Sequence, residues 1–355
     1  MEAKHKQIIN LFRLRNILIP IVIGIAVAAY FIIDSYDADA LSHITFGWKS
    51  VYCFIAILFL VFLRQWAYMY RIRLLSDKKL SWRQSFDVIS LWEFSSAVTP
   101  TVVGGSAVAI YFLSREKLAL GRSTAMVLTA TLFDELFYVI MLPLSILIVG
   151  YNNAVYIPQG KELAISSYGI PMVLGISYAI VLFLTTVLFI GIFVKPYGFK
   201  KLLIAIFSLP GLKKWKTAAS NTGDEMIMAS VEFKGKPIRF WSKILLSTFV
   251  TWSARFMLVN ALILAVLPLT DHLIVYSRQL LMWVILLITP TPGGSGVAEV
   301  IFSGFLGDYI PEGLGHPLAL IWRLITYYPY LLLGAIVLPI WLKRVYTHEP
   351  PAAKK

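Results

Sequence analysis

The chain has 355 residues, 58% hydrophobic and 14% charged. With a mean hydropathy of +0.75 this composition excludes an ordinary soluble domain. The net charge of +13 does not point to nucleic acid, because the basic residues lie between apolar runs, as in cytoplasmic loops facing anionic headgroups.

Lys4, Lys6, Arg13 and Arg15 precede an apolar run at 17–33. The run lacks a small-x-small cleavage site and reads as a retained first span rather than a signal peptide. Further apolar runs follow at 46–69, 84–113, 123–149, 168–194, 242–268, 273–307 and 318–342. The single cysteine, Cys53, lies within one of them, so no internal disulfide can form, and no zinc-ligand spacing is present. The long basic loop at about 195–241 carries Phe199, Leu202, Leu203 and Ile206 at helical spacing beside Lys200 and Lys201. It reads either as an interfacial amphipathic helix or as a solvated basic loop. Asn221–Lys236 is polar and reads as irregular.

Two runs are interrupted by the same motif. Residues 99–109 read TPTVVGGSAVA and residues 289–298 read TPTPGGSGVA. Proline removes a backbone donor, and in lipid the freed groups must be satisfied by protein or by a wet cavity. Glycines 104, 105, 293 and 294 are expected to give the turns positive φ or to permit close helix packing. Arg71, Arg73, Lys78, Lys79 and Arg83 precede the first interruption and Arg115, Lys117 and Arg122 follow it, so both its flanks read as cytoplasmic. The second lies between Asp271–His272 and Asp308, Glu312 and His316, poor in positive charge, so both its flanks read as external. Each interrupted run is therefore expected to be a re-entrant hairpin.

Gly105 to Asp134 and Gly294 to Arg323 are both 29 residues. This places an acid and an arginine at equivalent positions of two span–hairpin–span repeats, about 46–149 and 242–342. Inverted repeats of this kind put a site at the bilayer midplane, with half-helix termini aimed at it. The expected fold is an all-α integral membrane protein, a single polytopic domain of about six transmembrane helices plus two re-entrant hairpins in an inverted repeat, with both termini cytoplasmic.

Arg64, Glu93, Asp134, Glu135, Arg255, Glu299 and Arg323 lie inside apolar runs. Each costs about 2.5–3.5 kcal/mol at the bilayer centre, so they are expected to face protein or a cavity. Asp134 and Arg323 read equally as a structural lock between the repeats or as substrate groups. Glu299, just after the second glycine pair, is expected to face the cavity. Arg64 and Arg255 either snorkel or pair with acids. Arg323, Thr326, Tyr327 and Tyr330 form a polar stripe at i, i+3, i+4, i+7, and Thr124, Thr131, Glu135 and Tyr138 form a similar one. The candidate substrate-binding set is Glu93, Thr99, Pro100, Gly104, Gly105, Asp134, Glu135, Pro290, Pro292, Gly293, Gly294, Glu299, Arg323 and Tyr327. No Walker A loop, HExxH or GxSxG occurs, so no catalytic residue, metal or cofactor is assigned.

TPTVVGG followed by Asp134, TPTPGGSGVAE ending at Glu299, and WRLITYY with Arg323 make the chain resemble the lysylphosphatidylglycerol synthase transmembrane-region family, also called flippase-like domain proteins. The resemblance covers about residues 10–345. It implies a bacterial or archaeal cytoplasmic membrane protein whose membrane portion moves lipid between leaflets. Its partners would be membrane lipids, anionic headgroups at the inner leaflet among them. No aminoacyltransferase domain accompanies the membrane portion here, so synthase activity is not implied. Where family members carry an acid–arginine pair, this chain carries Asp134–Glu135. The functional expectation is flippase-like translocation of a polar phospholipid or lipid-linked intermediate. The rivals are a secondary transporter of a small soluble substrate and an accessory membrane subunit of a lipid-modifying enzyme.

Overall fold

A computed structural model describes residues 44–99, 102–155, 169–209, 211, 213, 216–287, 294 and 296–346. The expected span at 17–33 lies outside them. The described elements are helical: α1 Trp48–Leu75, α2 Trp82–Val98, α3 Val102–Arg115, α4 Leu120–Val149, α5 Tyr151–Val155, α6 Gly169–Phe189, α7 Pro196–Ile206, α8 Lys216–Lys234, α9 Ile238–Val266, α10 His272–Leu287, α11 Val297–Phe305, α12 Gly315–Thr326 and α13 Tyr328–Tyr346. Helix α6 continues into a π-turn, Ile190–Val194. Among the described residues, five stretches are long and apolar enough to cross a membrane: α1, α4, α6 with its π-turn, α9, and α12–α13 taken together. They coincide with the expected spans at 46–69, 123–149, 168–194, 242–268 and 318–342. The protein is an all-α membrane protein.

Local chemistry sets the boundaries. Ser81 caps α2: its hydroxyl accepts from the Gln84 N–H at 3.2 Å, and the Gln84 side chain accepts from the Ser81 N–H at 2.9 Å. The same helix ends at Thr99, whose ψ of 139° is extended, as the residue before Pro100 must be. Gly150 ends α4 with φ 84°. The run at 318–342 is not one continuous helix. Tyr327 leaves helical geometry between α12 and α13, two residues before Pro329, whose nitrogen cannot donate into a continuing ladder.

Both interrupted runs are helix pairs whose members pack against each other, α2 with α3 and α10 with α11. At ~1.5 Å rise per residue, α3 and α11 reach about 21 and 14 Å, short of the ~30 Å hydrocarbon core. Helix α9 lies along α1 over the most extensive contact among the described elements, and α13 packs on α2. There Gly334 admits the Phe94 ring, which a Cβ at that position would overlap.

Asn221–Lys236 is not irregular. It falls mostly within α8, which packs on α4 and α7. Its buried stripe is Ala219, Gly223, Met226, Ser230 and Phe233, a 4-3-4-3 spacing written mainly in small residues. Contact is close enough that a Cβ on Gly121 would lie 2.7 Å from the Met226 nitrogen. The Phe199–Ile206 stretch is helical as α7, with Tyr197, Leu202 and Ile206 exposed.

The apolar interior forms two clusters. One gathers Ile57, Phe137, Phe256, Tyr276, Phe302 and Trp322. The other gathers Leu75, Phe94, Phe112, Phe133, Ile244 and Trp341. Helices α1, α4 and α9 contribute opposite ends to both, so each changes cluster near its middle. On α4 the change falls between Phe133 and Phe137, at Asp134 and Glu135.

Candidate functional site

A cavity of about 220 Å³ opens where the two clusters meet. Its walls come from α1, α2, α3, α4, α9, α10 and α12–α13. Both motif copies reach it: Thr99 and Ser106 from the first, and Gly294 from the second, with Leu286 just ahead of it.

Three ion pairs organise the walls. Arg64, Tyr68 and Arg71 follow i, i+4, i+7 spacing on one face of α1. Arg64 Nη2 donates to Glu93 Oε1 at 3.0 Å, and Nη1 donates to the Tyr330 hydroxyl. Arg71 grips Asp134 through two parallel bonds, Nη1–Oδ1 at 2.6 Å and Nη2–Oδ2 at 2.9 Å. Trp252 Nε1 donates to the same Oδ1 at 2.7 Å, and Thr248 accepts from Arg71 Nη1 at 2.9 Å. Tyr68 lies between the two arginines, 5.0 Å from each guanidinium to its ring centroid. The third pair is Arg323 Nε with Glu299 Oε1 at 3.3 Å, both side chains nearly inaccessible. Arg323 also lies 3.8 Å over the Tyr327 ring.

The pairing decides against one of the two readings of Asp134 and Arg323, a lock formed between them. Asp134 does not pair with Arg323; both line the cavity, but Asp134 is held by Arg71 and Arg323 by Glu299. Arg64 pairs with Glu93 rather than snorkelling. Glu299 does not line the cavity. Its Oε2 accepts the Gly296 N–H at 2.8 Å, capping α11, while Oε1 stands behind Arg323. Tyr327 does line it, yet its hydroxyl donates to the Ala97 carbonyl at 3.0 Å, satisfying an orphan acceptor at the end of α2.

Of the expected set, the cavity brings together Glu93, Thr99, Asp134, Glu135, Gly294, Arg323 and Tyr327. Gly104 and Gly105 do not give the first turn positive φ, because both lie within α3. Gly105 instead meets Ser96, whose Cα would stand 2.8 Å from an added Cβ. Gly294 is left-handed at φ 68°, joined by Gly296 at φ 84°. Pro100, Pro290, Pro292 and Gly293 lie outside the described residues. Thr131, Glu135 and Tyr138 line the cavity, but Thr124 does not; its hydroxyl returns to the Leu120 carbonyl.

Sequence reasoning missed Arg71, Tyr68, Trp252 and Trp283. Arg71 was grouped with the cytoplasmic bases following α1, yet the helix runs on to Leu75 and carries it inward. The i, i+4, i+7 spacing from Arg64 through Tyr68 was the available signal.

A family model for the lysylphosphatidylglycerol synthase TM region matches residues 17–334. The chain belongs to that family. A relative from Archaeoglobus fulgidus, described as a UPF0104 membrane protein, is 24% identical over 333 residues, covering 90% of this chain and 95% of the relative. No solved structure matches. Within this lysylphosphatidylglycerol synthase TM-region chain, the matched stretch takes in every described cavity-lining residue.

Proposed function

We propose that this chain translocates the polar headgroup of a phospholipid or lipid-linked intermediate across the cytoplasmic membrane. The observation that carries the reading is the charged cavity where both motif copies converge, near the middle of the 30-residue α4. In this reading α2–α3 and α10–α11 are re-entrant hairpins entering from opposite faces, and the two halves form an inverted repeat. Loop charge supports it: Arg73, Lys78 and Lys117 lie at the ends of α2–α3, Asp271 and Glu312 near those of α10–α11. Both termini are then cytoplasmic.

The cavity is smaller than the ~300–1,000 Å³ usual for drug-sized ligands. That suits a compact headgroup whose acyl chains stay in lipid. The cavity arginines other than Arg255 are matched by carboxylates, so the walls stay charged without the ligand having to neutralise them. No energy source is needed for equilibration between leaflets; net transport needs a gradient or removal of the product.

The test is purified protein in liposomes carrying headgroup-labelled phospholipids, with leaflet exchange followed by surface quenching. Exchange above protein-free liposomes is expected, lost in Thr131→Trp, which fills the cavity from α4. Exchange unchanged in a well-folded Thr131→Trp protein would remove the cavity from the path. No exchange, with uptake of a water-soluble solute instead, would favour the soluble-substrate transporter.

A further inference from the structure

Among the described residues, the charges of the cavity can be followed one by one. Four arginines line it or pair with a residue that does: Arg64, Arg71, Arg255 and Arg323. Four carboxylates do the same: Glu93, Asp134, Glu135 and Glu299. Three pairs consume six of these eight groups. Arg255 and Glu135 remain. Glu135 is over nine-tenths buried, and its Oε2 has no hydrogen-bond partner among the described residues. Arg255 has no ion pair there. It lies on two indoles, 4.1 Å from the Trp283 ring centroid and 5.7 Å from that of Trp252.

We propose that Arg255, seated on Trp283, is the phosphate-binding residue of the cavity. The proposal deepens the headgroup reading above, but does not need translocation to be true. A guanidinium over an indole is held by its face. Its N–H donors lie in the plane of the group and stay free at the edge, the geometry that takes two oxygens of one phosphate. The other cavity arginines have spent this fork on carboxylates, Arg71 on both Asp134 oxygens. An unmatched ionisable group at bilayer depth is kept where it faces water or a ligand.

Glu135 gives the proposal its second handle. Once an anion occupies Arg255, Glu135 is the one unmatched carboxylate in the same cavity. It opposes an anionic ligand, so removing its charge strengthens anion binding while removing that of Arg255 weakens it.

The experiment is calorimetric titration of the full chain in detergent with dioctanoyl phosphatidylglycerol, dioctanoylglycerol and inorganic phosphate. The phospholipid is expected to bind and the phosphate-free diacylglycerol not to. Arg255→Gln is expected to weaken phospholipid binding about tenfold to a hundredfold, the scale of a lost charge-assisted contact. Arg255→Lys keeps the charge without the fork and falls between. With the titration run at alkaline pH, where the parent carboxyl is ionised, Glu135→Gln is expected to bind phospholipid several-fold tighter, a gain that a misfolded protein cannot mimic. Equal binding of diacylglycerol, or an Arg255→Gln affinity matching the parent, overturns the assignment. If both Arg255 variants fail to fold, an unchanged affinity in Glu135→Gln overturns it instead. Inorganic phosphate binding as tightly as the lipid, and lost in Arg255→Gln, upholds the site while removing the lipid reading.

Discussion

The two motif copies are nearly identical in sequence and different in backbone. In the first, the chain leaves α2 at Thr99 and is helical again at Val102, so its glycines sit inside α3. In the second, Gly294 and Gly296 are left-handed and the helix resumes only at Val297. The second copy is one residue shorter and has Gly296 where the first has Ala107, so it can take a left-handed residue where the first cannot without strain. One copy thus uses glycine for contact, Gly105 against Ser96, and the other for conformation. They also differ in charge. Glu299 closes the second copy, while the aligned position in the first is Ile110. The second copy therefore brings its own carboxylate to hold Arg323. The charges around the first come from α1, α2 and α4. A shared motif here specifies where a helix breaks, and its variable positions decide what the break does.

The strongest way to break this comparison is at that carboxylate. Glu299→Gln keeps the side-chain volume and an oxygen for the Gly296 N–H, but leaves Arg323 buried without its counter-charge. Loss of one partner of a buried pair is expected to cost about 3–5 kcal/mol. The aligned first-copy change, Ile110→Val, is expected to cost about 0.5–1.5 kcal/mol. Equilibrium unfolding in mixed detergent measures both, and equal losses would erase the asymmetry between the copies.

Glycine substitutions sharpen the other half. Gly105→Ala drives a Cβ into Ser96 and is expected to cost about 1–3 kcal/mol as overpacking. Pairing it with Ser96→Gly should restore part of that loss by removing the Ser96 side chain, while the Cα at position 96 still stands 2.8 Å from the new Cβ. Gly294→Ala meets Leu286 Cδ2 at 3.2 Å and Ala298 Cβ at an ordinary 3.8 Å, but holds an L-residue at φ 68°. It is expected to cost about 1–2 kcal/mol. No change at Leu286 should rescue it, whereas Gly294→Asn should be milder. Rescue by neighbour at one glycine and by residue type at the other would establish the two uses.

The five long spans among the described residues were legible because hydropathy is a property of the sequence alone. So were the sites of both interruptions, since proline acts on its own neighbours. Helix α8 was not, because Met226 and Phe233 are the only large apolar members of its buried stripe, and Ala219, Gly223 and Ser230 make up the rest. The seven intramembrane charges could be seen, but not their partners. Which carboxylate meets Arg71 depends on the rotation of α1 against α4 and on α1 running past the apolar run to Leu75. Glu299 was placed in the cavity from its distance to the glycines. One turn of α11 turns it behind Arg323 instead.

The smallest effect is expected away from both copies, where charges pair in partly wet surroundings. Beyond the end of α1, Asp77 accepts from Arg122 Nη2 and from Lys236 Nζ, each at 2.6 Å. Together with the Arg122–Glu232 pair this clasps α8 to the start of α4. Burial alone would raise the Asp77 carboxyl, but the hydrogen bonds from Lys236 and Arg122 outweigh it and hold the group below its ordinary 3.8. A depressed carboxylate contributes stability that is complete above its unfolded value and is lost as pH falls through the folded one. Being half-exposed, the clasp is expected to contribute under ~1 kcal/mol. At pH 6 the parent should therefore unfold slightly later than Asp77→Asn. As the pH drops below the ordinary carboxylate range the two unfolding curves should converge, because the parent has then lost the same charge. A gap that persists in acid would mean that Asp77 acts through packing. The clasp would then resemble the contact made by Gly105 more than the charge carried by Glu299.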